Sequence, residues 1–421
     1  MKKICLTLVG IYILLLHAFS QVSQKDTSAY KIRPLKLDEV NLVSSYYTQD
    51  GHHSAVTGGI GTEKVTDLSN GLDVKWIGWD AGQHKHTLTA SVGFDNHTSA
   101  SAAFVNKSGA SKTGGTRIYP AINWITENEK KGSSFGLGVY YSGEYNYQSF
   151  GADIQVSQKT KNNGEFSLKL TGYFDKVKLI YPSELIPMDT VVTSGGTVVI
   201  TTASGKQTTL SSGGGSSSHE SNGIPSSPRN TITSSFGFSQ VINERLQGSI
   251  DVDLVYQDGY LGLPFHRVYW NDATVHVENL PSQRAKLPIG LRLNYFLGDN
   301  IILRSYYRYY TDNWGLQSHT AGLEVPVKIT PFFSVSPFYR YYTQTAVKYF
   351  RPYEVATNKD QYYTSNYALA AFNSSFYGLG FRIAPPKGVL GAFNTLEIRY
   401  GHYSQTTDLS SDVISVNMKF K

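Results

Sequence analysis

The chain has 421 residues, a formal net charge of +6 and an isoelectric point near 9.0. So small a surplus over so long a chain is not a phosphate-binding surface, which argues against a nucleic-acid partner. The single cysteine, Cys5, leaves no disulfide framework and no cysteine-based nucleophile or metal centre in a chain cut downstream of it.

Lys2 and Lys3 precede an apolar run from Ile4 to Leu16, and small residues at Ala18 and Ser20 lead into Gln21. This reads as a secretory signal over 1–20, cleaved before Gln21, and the run is too short for a membrane-spanning helix. Loss of the two lysines lowers the charge from +6 to +4. Residues 21–37 read as a periplasmic N-terminal segment, and 38–421 as the folded unit.

Beyond the signal no apolar stretch is long enough for a transmembrane helix, and a mean hydropathy of -0.27 suits a soluble protein. It suits a membrane β-barrel equally, because lipid-facing and lumen-facing residues alternate and cancel in the average. Alternation decides between them, and it recurs in chain order. LTASVGF (88–94) sets Leu88, Ala90, Val92 and Phe94 on one face. FSLKL (166–170) sets Phe166, Leu168 and Leu170 against Ser167 and Lys169, and SIDVDLVY (249–256) sets Ile250, Val252, Leu254 and Tyr256 against Asp251 and Asp253. GLRLNY (290–295) opposes Leu291, Leu293 and Tyr295 to Arg292 and Asn294. IILRSYYRYY (301–310) puts Ile301, Leu303, Tyr307 and Tyr309 outward, and Arg304, Tyr306, Arg308 and Tyr310 inward. ISVNMKF (414–420) closes the chain with Ile414, Val416, Met418 and Phe420 outward, the form of a strand read by a barrel-assembly machinery.

The connections alternate between short ones (80–85, 128–133, 160–164, 243–245, 297–300, 328–331) and long ones (95–116, 177–230, 257–286, 345–374). Short periplasmic turns and long external loops belong to outer-membrane barrels. The pattern predicts an all-β, transmembrane antiparallel β-barrel of about sixteen strands, with fourteen to eighteen compatible, in contact with outer-membrane lipids. A soluble β-sandwich would not carry aliphatic side chains on the outer face of nearly every strand.

The same alternation sends Arg292, Arg304, Arg308, Arg340, Arg382 and Arg399 into the lumen, with Glu324 and Glu397 as partners. From the N-terminal half it sends in Asp153, Asp251 and Asp253, with Lys169. An arginine wall opposite an acidic wall is therefore expected, imposing a transverse field on a pore. The same residues would serve a packed lumen in which every charge is paired.

Residues 190–229 are rich in Ser, Thr and Gly and read as a flexible external loop. In 45–67, GGIGTE lacks the lysine-serine pair of a phosphate loop, and Gly58, Gly59 and Gly61 suit sharp bends or close approach. Asp50, Glu63 and Asp67 offer oxygen ligands but not an EF-hand spacing. His84 and His86, and His52, His53 and His97 in loops, lack a third ligand in register. No cofactor or metal is expected. His402, high on a strand, suits a rim hydrolase, without an identifiable nucleophile.

SYYTQDGHHSAVTGGIGTEKVTD (45–67), KLIYPSE (178–184), LPFHRVYW (263–270), KLPIGLRLNYFLGDNIILRSYYRYYTDNWG (286–315) and TPFFSVSPFYRYYTQTA (330–346) resemble domain-of-unknown-function family 3570 of Gram-negative, Bacteroidetes-type outer-membrane barrel proteins. The resemblance implies a barrel and names no chemistry. It adds Asp50, Gly51, Gly58, Gly59, Glu63 and Asp67, and Phe265, His266 and Arg267, as candidate functional residues. Three readings follow: a channel or facilitated transporter for small polar or anionic solutes, a structural or partner-binding barrel with a plugged lumen, and a rim-site hydrolase. The first two are not enzymes.

Overall fold

The computed structural model describes residues 32–98, 115–179, 225–263, 265–389, 391 and 393–420, and as backbone only three short strands, Val191–Ser194, Thr197–Thr201 and Gln207–Ser211. The expected signal at 1–20 lies outside the described residues, as do residues 21–31 and much of 190–229.

Sixteen strands form one wall. They are β1 Arg33–Gly51, β2 Val65–Trp79, β3 His84–His97, β4 Thr116–Asn128, β5 Ser133–Glu144, β6 Tyr147–Lys159, β7 Gly164–Lys178 and β8 Ser226–Asn243. The second half comprises β9 Leu246–Gly259, β10 Gln283–Leu297, β11 Ile301–Asp312, β12, β13 Phe333–Gln344, β14 Phe372–Ile383, β15 Thr395–Gln405 and β16 Leu409–Phe420. β12 is interrupted, as Gln317–Glu324 and Val327–Thr330, because Pro326 has no N–H for the ladder. Every strand pairs antiparallel with the next, and β1 pairs with β16 from Val40↔Phe420 to Gly51↔Leu409. The sheet thus closes on itself and leaves no edge, the one way strands can cross a membrane.

Two boundaries differ from those expected. The wall begins at Arg33 and not at residue 38, because β2 runs on to Trp79 and offers partners; Arg33 pairs opposite Trp79, its guanidinium 3.9 Å from the ring. Pro34 fits there because the register shifts between Arg33 and Lys36. At the other place, Ser226–Arg229 belong to β8, paired with β7, and are not part of the 190–229 loop. Within that loop the three short strands form a small antiparallel sheet, in keeping with the β-branched run TVVITT at 197–202.

The alternation holds on both sides of the wall. Ile122, Ile154, Phe166, Phe174, Ile232, Leu254, Leu291, Tyr307, Leu379 and Ile414 are all exposed on the outside, as a surface facing acyl chains requires. Odd-to-even loops lie at one end, and three of them build a cap: residues 52–64, 260–282 and 345–371. Their roots lie far apart on the ring, since β1–β2 and β9–β10 are separated by half the strands. The loops nonetheless touch, so the chain crosses the mouth of the barrel. The Arg267 guanidinium donates to the Val56 carbonyl at 2.6 Å, and His53 stacks on Tyr367 at 3.9 Å. Beneath them Trp314, Leu316 and Val347 form a buried apolar cluster with Leu261, Leu280 and Phe350.

Candidate functional site: a capped, arginine-lined lumen

The cap is fixed by buried polar contacts. Glu278, almost wholly buried, accepts from the Leu263 N–H at 2.7 Å and from the Thr364 hydroxyl, so two loops share one carboxylate. His266 lies beside it, Nδ1 3.8 Å from Oε2, and packs edge-on against Phe265. Arg267 and His266 are buried, which makes this motif part of the cap's interior and not a surface. In the first loop Gly58 has a left-handed φ of 81°, and a Cβ there would strike the Tyr269 ring. A Cβ on Gly59 would lie 3.0 Å from the Ser365 carbonyl and from the Tyr367 ring. Gly51 backs onto Glu63, whose carboxyl is pushed up by burial against the opposing pull of His53 and His52. Asp67 accepts from the Ser69 hydroxyl at 2.7 Å, and Asp50 is exposed at the top of β1. Among the described residues no three His, Asp or Glu side chains gather as metal ligands, so Asp50, Glu63 and Asp67 do not converge.

Below the cap, four inward carboxylates are each satisfied by a cation, and three of them also by a phenol. Asp95 accepts from Arg117 at 2.8 Å and from Tyr119 at 2.8 Å. Asp175 pairs with Arg229 at 3.2 Å, and that guanidinium lies over Tyr147. Asp153 takes Lys169 at 3.3 Å and the Tyr140 hydroxyl. Asp312 takes Arg284 and Tyr310, and its other oxygen accepts from the N–H groups of Trp314 and Leu316. Charges in a low-dielectric wall survive only when paired in this way. The sequence reading missed Arg117, Arg229 and Arg284, although their strand parity sends them inward.

Lower in the lumen the arginines separate into two kinds. Arg292 pairs with Asp251, Arg304 with Glu324 at 3.2 Å, and Arg399 with Glu324 at 3.0 Å and Glu397 at 3.1 Å. Among the described residues no carboxylate pairs with Arg308, Arg340 or Arg382; Arg340 lies over the Phe376 ring at 4.9 Å. Arg292 and Arg304 side chains are 54% and 52% exposed although they point into a closed wall, so this part of the lumen holds space for water. Two recesses open here, of about 440 and 410 Å³. Arg292, Arg304, Lys328, Arg340, Arg382 and Arg399 line them against only Glu324 and Glu397. Asp251 and Asp253 line a further recess with Lys169 and Glu165.

Charges assigned to the two expected walls also meet on neighbouring strands. Asp251 meets Arg292 on the neighbouring strand, and Arg117 and Arg229 bring cations into the N-terminal half. Inward residues on adjacent strands sit close together, so pairing along the wall wins over pairing across the lumen.

The sequence matches the family described as a protein of unknown function (DUF3570) over residues 80–412. The chain belongs to the DUF3570 family. The matched span runs from the turn before β3 into β16, and takes in Phe265, His266 and Arg267 but not 45–67. No curated protein is significantly similar to this DUF3570 member. Solved structures similar to it include a bacterial polysaccharide outer membrane secretin, 10% identical with a TM-score of 0.42, covering 91% of this chain and 98% of that one. OprD of Pseudomonas aeruginosa is 8% identical with a TM-score of 0.41, covering 92% and 94%. OpdO of the same organism is 7% identical with a TM-score of 0.41, covering 91% and 95%. Likenesses at this level say nothing about solute or partner.

Proposed function

We propose that this barrel lies in the outer membrane and passes small polar or anionic solutes, as a channel or facilitated transporter with an external cap. The observation that carries the reading is the set of three lumen arginines, Arg308, Arg340 and Arg382, without a carboxylate partner among the described residues. A structural arginine inside a wall is paired, as Arg284 and Arg229 are; an unpaired one facing water is available to an anion. The apolar outer belt supports insertion among outer-membrane lipids. The amphipathic last strand, β16, supports recognition by the assembly machinery.

Flux into liposomes carrying the refolded protein tests this. Small organic anions should enter faster than cations of matched size, and equal exclusion of both would overturn the reading. A second reading, a plugged or partner-binding barrel, is favoured by one observation: the three loops that meet over the mouth. The rim-hydrolase reading has half of what it needs. His402 Nδ1 lies 2.9 Å from Asp412 Oδ1, but among the described residues no hydroxyl hydrogen-bonds the ring.

A further inference from the structure

The lumen carboxylates differ in how far water reaches them. The Asp312, Asp153 and Asp175 side chains are 0, 1 and 5% exposed and are sealed by their partners. Glu324 is 23% exposed, and its partners Arg304 and Arg399 are 52% and 32% exposed. A hydrated arginine–carboxylate pair gains little over its separated members, so it opens at small cost.

The geometry of that pair is unusual. Glu324 bridges two guanidinium groups: Arg304 from β11 donates to Oε1 at 3.2 Å, and Arg399 from β15 donates to Oε2 at 3.0 Å and to Oε1 at 3.5 Å. Arg399 reaches past β13 and β14 across Gly380, an inward position of β14 whose bare backbone lies against the Arg399 side chain, where a larger residue would block it. Gly378 sits against Phe338, over whose ring the Arg399 guanidinium lies at 5.0 Å. The two recesses flank this bridge and share it: Arg340 lines one and Arg382 the other. Phe338 and Phe376, ring centroids 5.2 Å apart, give the first recess an apolar floor.

We propose that Arg304 and Arg399 form a binding site for the carboxylate of a small organic acid with an apolar body. Glu324 is then a tethered carboxylate of the protein that fills the site until a solute displaces it. The solute's charge meets the two guanidinium groups, its apolar part rests on Phe338 and Phe376, and Arg340 and Arg382 receive it on either side. The proposal rests on the lumen being reachable by solute, but not on passage through it.

Equilibrium binding of hexanoate to the barrel refolded in nanodiscs, read by calorimetry, tests the site. Glu324→Gln should bind hexanoate at least about tenfold more tightly than wild type, because the carboxylate shared by both arginines is gone and Glu397 still engages only Arg399. Glu324→Asp, which keeps the charge on a shorter tether, should fall between them and serves if the glutamine variant does not fold. Acetate should bind more weakly than hexanoate, hexan-1-ol should not bind, and Arg399→Gln should lose binding. Equal affinity in wild type and both Glu324 variants, or hexan-1-ol binding as well as hexanoate, would overturn the proposal. Hexanoate bound with no solute flux removes the transport reading and leaves the site. Flux without Glu324-dependent binding removes the site and leaves the transport.

Discussion

At the scale of single residues, the lumen arginines look alike in sequence and differ in what surrounds them. Arg284 and Asp312 are 12% and 0% exposed, locked together beneath Trp314. Removing one partner leaves a buried charge alone, so Arg284→Ala should destabilise the barrel by about 3–5 kcal/mol in denaturant titration. Arg308, Arg340 and Arg382 have no such partner, and their glutamine variants should fold with wild-type stability, shifting it by less than about 0.5 kcal/mol. A loss of several kcal/mol from Arg340→Gln would mean that it packs the wall. Strand parity alone indicated that these side chains face inward. Their pairing was not legible, because partners lie on neighbouring strands whose register a sequence without an alignment does not reveal. Arg117 and Asp95 are 22 residues apart, yet they share a hydrogen bond.

At the scale of elements, hydrophobic alternation made the strands legible and the loops opaque. A period of two along a strand is a local property, so the outward faces of β9, β10, β11 and β16 are as expected from their residues. Caps form by contacts between loops rooted far apart, and no local pattern records them; Gly58 against Tyr269 is one such contact. Gly58→Val should therefore loosen the cap, speeding cleavage of residues 260–282 and 345–371 by added protease several-fold while the strands stay protected. The third loop carries its own clamp. Burial alone would raise the Asp360 carboxyl, but Arg351 at 2.7 Å and the Thr357 N–H and hydroxyl outweigh it and hold it below the usual range. A depressed carboxyl lends stability above its unfolded value, about 3.9, and loses it as the pH falls through its folded value. The clamp is thus intact at neutral pH and released as the pH falls below the ordinary carboxylate range. Asp360→Asn should raise cap cleavage at pH 7 and flatten its acid dependence; an unchanged acid dependence would mean that another group holds the loop.

At the scale of the whole molecule, two features set what the barrel can do. The closed wall has an apolar exterior and a hydrated, cationic lumen, and the cap lies across one of its mouths. Wall and strand number were legible because closure follows from a count of alternating segments and turn lengths. The sorting of charge around the lumen was not, since it depends on which strands are neighbours and on where glycine clears a path, as at Gly380. A cationic lumen held by these arginines predicts an electrical signature whose strength falls with salt.

The most direct test is the reversal potential of the Gly58→Val barrel in a planar bilayer under a potassium chloride gradient. Steady conductance with chloride favoured over potassium is expected. That preference should fall toward unity when Arg308, Arg340 and Arg382 are replaced together by glutamine. A folded barrel that passes no current with its cap loosened, or one that favours potassium, would contradict this expectation.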